Sequence, residues 1–140
     1  MTPKQTVFRM ILQSNQKQIR KVEPFLKKIH HVTHLDEIQM HKMMVSVTEA
    51  VNNAIVHGNK SDPQKKVQVR CEISPDWLVV FVEDEGEGFQ PKNVRNPLQK
   101  QNLMRENGRG VFLMRTLMDK VEFKMGDSCS QVSLWLNINK

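Results

Sequence analysis

The chain has 140 residues, the length of one ordinary domain, and its 21 lysines and arginines exceed its 15 acidic residues, so the formal net charge is +6. This basic excess suits an anionic partner, whether a nucleotide, a nucleic acid or an acidic protein, and does not distinguish among them. No apolar stretch approaches the roughly 20 residues that span a bilayer, and no signal peptide is evident. We therefore expect one domain over residues 1–140, located in the cytoplasm, with no membrane association and with Cys71 and Cys129 reduced.

Hydrophobic periodicity predicts the secondary structure in chain order. Strand patterns, with alternating or continuous apolar residues, occur at 6–14, 66–74, 76–84, 121–126 and 130–138. Helical spacing of apolar residues occurs at 16–30, 36–57 and 108–121, and the polar stretch 89–107 is predicted to be a loop. The order β-α-α-β-β-loop-α-β-β lacks the regular alternation of a parallel sheet. It predicts an α/β (α+β) two-layer sandwich, in which a mostly antiparallel, mixed sheet is covered by helices on one face.

A polar face runs along the longest predicted helix, in the segment EAVNNAIVHGN at 49–59. Glu49, Asn53 and His57 recur every four residues and therefore share this face, opposite an apolar stripe. One interpretation is a solvated helix surface; the other is the wall of a site, with a carboxylate as general base and an amide oxygen as a ligand for a hard cation such as Mg²⁺. Two successive asparagines favour the second, because asparagine is a poor residue for helix interiors. Gly58 is predicted to cap the end of the helix.

Two glycine-containing segments follow. The segment DEGEGF at 84–89 comes directly after a buried strand pattern, so Asp84 ends a strand, and Gly86 and Gly88 permit a positive φ or a close backbone approach. It lacks the spacing of an EF-hand loop, and a plain turn is the alternative. The segment GRG at 108–110 opens a helix, where backbone N–H groups suit an anion such as phosphate. No Walker A sequence is present, so a P-loop is excluded as the route to ATP.

Together and in this order, the three segments resemble the N, G1 and G2 boxes of GHKL ATPases: E-x-x-x-N on a helix, D-x-G-x-G after a strand, and G-x-G opening a helix. The segments SVTEAVNNAIVHGN, VEDEGEGF and GRGVFLMRTLMDKVEF are similar to those of the serine-kinase anti-sigma factors of the RsbW and SpoIIAB type. The resemblance covers nearly the whole chain. It implies a Bergerat-type ATP-binding fold, with residues 89–107 as the ATP lid.

The resemblance also implies roles at the base end of such a site. Asp84 would accept a hydrogen bond from the exocyclic amine of adenine and would disfavour guanine, which presents a carbonyl at that position. Gly86 and Gly88 would let the base and the ribose approach the chain. Ser130, where family members often have threonine, would help to contact adenine.

At the phosphate end, the resemblance implies that Asn53 holds a Mg²⁺ ion that bridges the phosphates. Glu49 would be the general base that draws a proton from the attacking hydroxyl. Four further residues would contact the phosphates through a backbone amide or a guanidinium group: Gly108, Gly110, Arg105 and Arg109.

The family reaction transfers the γ-phosphate of ATP to a serine or threonine of an anti-sigma antagonist protein. The resemblance therefore implies an ATP- and Mg²⁺-dependent serine/threonine-protein kinase that binds ATP or ADP, sequesters a sigma factor and forms a homodimer. The first alternative is a non-catalytic regulator, in which bound nucleotide only gates partner binding. A detached histidine-kinase ATPase domain is disfavoured because HHVTH at 30–34 lies in a polar break, and direct nucleic-acid binding is not expected because no arginine-rich or aromatic-interleaved basic run is present.

Overall fold

The computed structural model describes residues 6–86, 108–126 and 128–139. Strands and helices in these ranges form one sheet and a helical layer. In chain order the elements are β1 (Thr6–Gln13), a 3₁₀ helix (Gln16–Lys21), α1 (Val22–Thr33), α2 (Glu37–Asn53), a π-helical turn (Ala54–Gly58), β2 (Lys66–Ile73), β3 (Trp77–Asp84), α3 (108–117), β4 (Lys120–Met125) and β5 (Ser130–Asn137).

The five strands form one sheet in the order β1-β2-β3-β5-β4, and every pairing between them is antiparallel. The sequence pattern predicted a mostly antiparallel, mixed sheet, so the architecture is confirmed and the described strands are antiparallel throughout. The pairs β2–β3 and β4–β5 are hairpins, β5 also pairs with β3, and β1 pairs with β2 although the helices separate the two strands in the sequence. The α/β two-layer sandwich with helices on one face is likewise confirmed.

The core lies between the sheet and the helices, because one face of each central strand is apolar with a period of two. In β2, Val67, Val69 and Cys71 are buried, and in β3 the same face presents Leu78 and Val80. The opposite face of the sheet is only half covered, by pairs such as the guanidinium of Arg70 at 4.2 Å from the ring centroid of Phe81. This asymmetry places the helices on one side of the sheet.

Helix α2 is the longest helix in the described residues, and both its start and its buried face follow from the sequence. Asp36 caps it through a capping box: its carboxylate accepts from the Gln39 amide at 2.7 Å, and the Gln39 side chain accepts from the Asp36 amide at 3.1 Å. Val47 and Val51 are fully buried on the face that packs against the sheet. Each buried side chain of this size stabilises the fold by about 1.5–3 kcal/mol.

Three predicted helix boundaries were wrong. Helix α1 runs on to Thr33, so the predicted polar break is shorter, and His34 ends the helix in a left-handed conformation (φ 54°) with its amide bonded to the His30 carbonyl. The first turns, Gln16–Lys21, are 3₁₀ rather than α-helical. Helix α3 ends at residue 117 rather than 121, because Lys120 already pairs with β5 as the first residue of β4.

The helix ending at the site is also different from the one predicted. After Asn53 the chain makes a π-helical turn, Ala54–Gly58, which closes with the amide of Asn59 bonded to the Ala54 carbonyl at 2.8 Å. Gly58 was predicted as a helix cap, and that was wrong: the left-handed residues are Lys60 (φ 52°) and Ser61 (φ 55°) further along. The π turn widens the helix by one residue and redirects its last residues toward the end of β3.

No helix among the described residues is long and apolar enough to cross a membrane.

The sheet positions the candidate site at one end of its central strands. Asp84 at the end of β3 lies opposite Ser130 at the start of β5, and Ser130 in turn pairs with Met125 at the end of β4. The C-terminal part of α2 packs over β3 and β5. Strand ends and helix end therefore meet at the same corner of the domain.

Candidate functional site

A cavity of about 390 Å³ lies at this corner, between the end of α2, the start of α3 and the ends of β3, β4 and β5. Its walls are mostly apolar and include Ala54, Val82 and Met114, while Asn53 and Asp84 provide polar groups from two different elements. A mostly apolar pocket with a few convergent polar groups is typical of a small-molecule site, and this volume falls within the usual range.

The first and third sequence segments meet at one end of the site. A Cβ atom placed on Gly110 would lie 2.9 Å from Glu49 Oε2 and 3.4 Å from Asn53 Nδ2. The start of α3 therefore lies directly against the polar face of α2, and a side chain at Gly110 would occupy the space beside these two groups. The four-residue spacing of Glu49 and Asn53 predicted that they share a face, and the structure shows both half-buried against α3.

The first and second segments meet at the other end. A Cβ on Gly58 would lie 2.3 Å from Asp84 Oδ2, and a Cβ on Gly86 would lie 1.8 Å from the Gly58 carbonyl oxygen. Glycine is needed at both positions because a Cβ would collide with these oxygen atoms. A positive φ is not the reason, since neither residue has one. The π turn brings Gly58 to this position, so the helix end and the strand end interlock through two residues without side chains.

The Asp84 carboxylate is buried and partly hydrogen-bonded. Its Oδ1 accepts from the Gly86 amide at 2.9 Å and from the Ser130 hydroxyl at 3.2 Å, and that hydroxyl also lies 3.3 Å from the Gly86 carbonyl oxygen. Within the described part of the chain all hydrogen bonds to this carboxylate use Oδ1, so Oδ2 has no donor among these residues, and Asp84 is one of the residues that line the cavity. Burial raises the pKa of Asp84, although these two hydrogen bonds oppose the shift.

The raised pKa predicts that Asp84 lowers stability at neutral pH. A folded-state pKa above the unfolded value means that the folded state binds the proton more tightly than the unfolded state does. Ionisation of Asp84 therefore lowers the free energy of unfolding, and the full loss is reached above the folded-state pKa. That cost disappears as the pH falls through the folded-state pKa toward the ordinary value of 3.8. Asp84→Asn is therefore expected to have a higher Tm than the wild type near neutral pH, with the gap closing on acidification.

Thermal unfolding followed by circular dichroism over this pH range measures the gap. The matched control is Glu23→Gln, an exposed carboxylate on α1 whose Tm difference from the wild type is expected to stay small at every pH. A wild type that is more stable than Asp84→Asn at neutral pH would contradict the assigned cost of burying this carboxylate.

The other predicted site residues are placed as follows. Gly108 lines the cavity, whereas Arg109 is exposed and is not among the lining residues. Gly88, Arg105 and the predicted lid at 89–107 lie outside the described residues. The assignments of all these residues to nucleotide contacts stay predictions.

The structure adds wall residues that the sequence reasoning missed. Phe123 and Met125 of β4 and Arg115 of α3 line the cavity, and the Arg115 guanidinium carbon lies 5.7 Å from the Phe123 ring centroid. The sequence spacing of these three residues does not predict a binding site, because a short strand with alternating exposure has the same pattern whether or not it borders a cavity. Asn59, which follows the predicted end of the helix, was missed as well, and it is fully buried.

No group of three or more His, Cys, Asp or Glu side chains suited to a metal ion occurs within residues 6–86, 108–126 and 128–139. The predicted Mg²⁺ needs no such cage, because this ion retains waters and is commonly held by one or two protein oxygens together with phosphates. The amide of Asn53 at the cavity wall and the neighbouring carboxylate of Glu49 provide hard oxygen donors of the required kind. The residues therefore fit this ion.

The sequence matches the family model described as the histidine kinase-like ATPase domain over residues 12–136, which is nearly the whole chain. The chain belongs to this family. The GHKL resemblance, based on three short segments, is thereby confirmed, and the fold with it.

The sequence is similar to several named bacterial proteins. The serine-protein kinase RsbW of Bacillus subtilis (strain 168) is 36% identical over 92 residues, which are 61% of this chain and 56% of that protein. RsbW of Bacillus licheniformis is 32% identical over 104 residues, 70% of this chain and 64% of that protein. The anti-sigma F factor of Oceanobacillus iheyensis is 36% identical over 91 residues, 63% of this chain and 60% of that protein. The chain thus spans less than two thirds of the length of these relatives.

Solved structures share the fold. The RsbU and RsbW domains of Rv1364c from Mycobacterium tuberculosis align with 94% of this chain and 32% of that one, with a TM-score of 0.68 and 14% identity. The histidine kinase domain from the Erythrobacter litoralis EL346 blue-light activated histidine kinase aligns with 86% of this chain and 60% of that one, with a TM-score of 0.55 and 17% identity. At these identities the likeness shows the architecture alone.

Proposed function

We propose that this protein is an ATP-dependent serine/threonine-protein kinase that acts as an anti-sigma factor. It would transfer the γ-phosphate of ATP to a serine or threonine of an anti-sigma antagonist and sequester a sigma factor. The observation that carries this proposal is one cavity lined both by a buried carboxylate, Asp84, and by Asn53, with the carboxylate of Glu49 next to Asn53 against the first turn of α3. The named relatives, a serine-protein kinase and an anti-sigma F factor, support it.

At the base end, Asp84 suits recognition of adenine. A carboxylate whose Oδ1 is saturated by Gly86 and Ser130 is fixed in orientation, so that Oδ2 is a positioned acceptor for an exocyclic amine. Guanine presents a carbonyl at the corresponding position and would meet this oxygen with repulsion. The apolar walls of the cavity suit the two faces of the purine ring.

At the phosphate end, Glu49 is proposed as the general base. Its carboxylate lies beside the first turn of α3, where the backbone amides of a helix N-terminus favour phosphate groups. It would accept the proton of the attacking serine or threonine hydroxyl as the new bond to the γ-phosphorus forms and the bond from that phosphorus to the bridging oxygen of ADP breaks, releasing ADP. Asn53 would hold Mg²⁺, which when bound neutralises charge on the phosphates.

The partner side of the proposal rests on charge and on the relatives. A formal net charge of +6 suits acidic surfaces on an antagonist or a sigma factor. The proposal includes a cytoplasmic location, which is where sigma factors act, and a homodimer. A sedimentation-velocity experiment distinguishes the monomer from the homodimer.

Binding of ATP tests the base end of the site. Asp84→Asn is expected to weaken ATP binding by about tenfold, because a hydrogen bond to a charged acceptor is worth roughly 1.4 kcal/mol more than one to a neutral acceptor. Isothermal titration calorimetry with Mg-ATP measures the Kd of both proteins. An unchanged Kd, or tighter binding of Mg-GTP than of Mg-ATP to the wild type, would show that Asp84 does not recognise the exocyclic amine of adenine.

Phosphoryl transfer tests the kinase activity itself. The protein is incubated with γ-³²P-labelled ATP and a candidate antagonist, and label that is stable to acid is expected on a serine or threonine of the antagonist. Tight nucleotide binding with no label on the antagonist would favour the non-catalytic, nucleotide-gated regulator instead. Acid-labile label on a histidine of this chain would contradict both functions.

A further inference from the structure

Asn59 forms a fully buried polar junction behind the candidate site. Its Nδ2 group donates to the Ser14 hydroxyl at 2.8 Å and to the Lys66 carbonyl at 3.0 Å, and its Oδ1 accepts from the Glu85 amide at 2.7 Å. Both amide hydrogens and the amide oxygen are therefore used, and the side chain is 0% exposed. This one residue ties together the chain just after β1, the start of β2 and the chain just after β3.

The junction continues into the segment that contains Asp84. Glu85, whose amide Asn59 holds, lies between Asp84 and Gly86, and its own carboxylate accepts from the Lys66 amide. The Gly86 amide donates to Asp84 Oδ1 at 2.9 Å. The hydrogen bonds of Glu85 therefore fix the backbone between Asp84 and Gly86, and this backbone in turn orients the Asp84 carboxylate.

The π turn brings Asn59 to this place. The Asn59 amide closes the turn by bonding to the Ala54 carbonyl, and the Asn59 carbonyl accepts from the Asp62 amide at 3.0 Å. The two following residues, Lys60 and Ser61, have the positive φ values that non-glycine residues seldom adopt. An unusual helical turn and two strained residues surround Asn59, which is not itself among the residues that line the cavity.

We propose that Asn59 is a positioning residue: it sets the orientation of Asp84 through the amide of Glu85, and thereby the preference of the nucleotide site for the exocyclic amine of adenine. This inference rests on the proposed function, because it assumes that the cavity binds ATP. It assigns Asn59 a part in base selection without any contact with the nucleotide. Asn59→Asp keeps the acceptor for Glu85 but loses both donated hydrogen bonds. The Lys66 carbonyl would then face a carboxylate oxygen, and the Ser14 hydroxyl would have to leave the Lys65 carbonyl in order to donate to that carboxylate, which shifts the junction.

The test compares ATP with purine riboside 5′-triphosphate, which lacks the exocyclic amine. The ratio of the two Kd values, measured by calorimetry with Mg²⁺, reports the contact of the amine alone. In the wild type this ratio is expected to be about ten or more, as for a hydrogen bond to a charged group. In Asn59→Asp the ratio is expected to fall toward one through weaker ATP binding, while the Kd of purine riboside triphosphate stays within about twofold.

The binding stoichiometry distinguishes a positioning role of Asn59 from a role in folding alone. A purely structural role would lower the Tm and the fraction of molecules that bind, and it would leave the ratio of Kd values in the folded fraction unchanged. The control is Asn52→Asp, the same substitution at a half-buried asparagine. Its Oδ1 accepts one hydrogen bond within the part of the chain that the structure describes, from the Gln16 side chain at 3.3 Å, and the variant is expected to keep the wild-type ratio.

If Asn59→Asp does not fold, Ser14→Ala decides, because it removes one acceptor of the Asn59 side-chain amide, together with the hydrogen bond from the Ser14 hydroxyl to the Lys65 carbonyl, and keeps the other two hydrogen-bond partners of Asn59. Its ratio is expected to fall by about two- to threefold, and an unchanged ratio overturns the proposal. A wild type that binds neither triphosphate contradicts the proposed function, and with it the role of Asn59. A wild type that binds and discriminates, together with variants that discriminate equally well, contradicts the role of Asn59 alone.

Discussion

Glu49→Gln is expected to reduce phosphoryl transfer to the antagonist by about 10²- to 10⁴-fold, the usual contribution of a general base. ATP affinity is expected to stay within about twofold, because the substitution keeps the shape of the side chain beside Gly110 and removes only its ability to take up a proton. Single-turnover transfer of labelled phosphate measures the rate, and calorimetry with Mg-ATP measures the affinity.

The comparison that isolates the chemistry uses a second glutamate on the same helix. Glu37→Gln changes an exposed residue in the first turn of α2, three turns away from the site, and is expected to keep the wild-type rate. A Glu49→Gln protein that transfers phosphate at the wild-type rate would show that another group accepts the proton. Equal losses of rate and of ATP affinity would instead indicate that Glu49 contributes to binding.

Gly86→Ala is expected to lower the free energy of unfolding by about 3 kcal/mol or more, at the upper end of the range for overpacked sites. The added Cβ would lie 1.8 Å from the Gly58 carbonyl oxygen, so the backbone of one segment has to move. Because Gly86 also donates to Asp84 Oδ1, the same movement is expected to weaken ATP binding by at least about tenfold. Urea denaturation and calorimetry measure the two effects.

Gly108→Ala is the matched control for stability. A Cβ at Gly108 would meet no atom of the described residues within 4 Å, so the free energy of unfolding is expected to change by no more than about 0.5 kcal/mol. Similar stability losses in both variants would mean that glycine is needed at position 86 for a reason other than the contact with Gly58.

The order and type of the elements could be predicted from the sequence, because each strand and helix has an apolar face with its own period. The same applies to Glu49 and Asn53, whose shared helix face follows from their spacing. Asp84 was predictable as the end of a strand because a polar residue and glycines follow the apolar run. These features depend on neighbours in the sequence, which is where periodicity carries information.

The π turn and the role of Asn59 could not be predicted in this way. Asn59 bonds to Ser14, 45 positions earlier in the chain, and to Glu85, 26 positions later. No local pattern reports contacts over such separations, and an asparagine that follows a glycine is equally typical of a plain loop. Gly58 illustrates the same difficulty: its position suggested a helix cap, whereas its lack of a side chain makes room for Asp84.

Because of the π turn, the geometry of the site depends on the number of residues between Asn53 and Asn59. A π turn holds one residue more than the α-helical turn it replaces, so the amide of Asn59 bonds to the carbonyl five residues back, at Ala54, rather than four residues back. Removing one residue from Ala54–Gly58 would let a narrower α-helical turn form, and the close approach of Gly58 to Asp84 would then be lost. The chemical groups of the site would remain, but the helix end and the strand end would no longer interlock, so we expect single-residue deletions here to be tolerated far less than conservative substitutions.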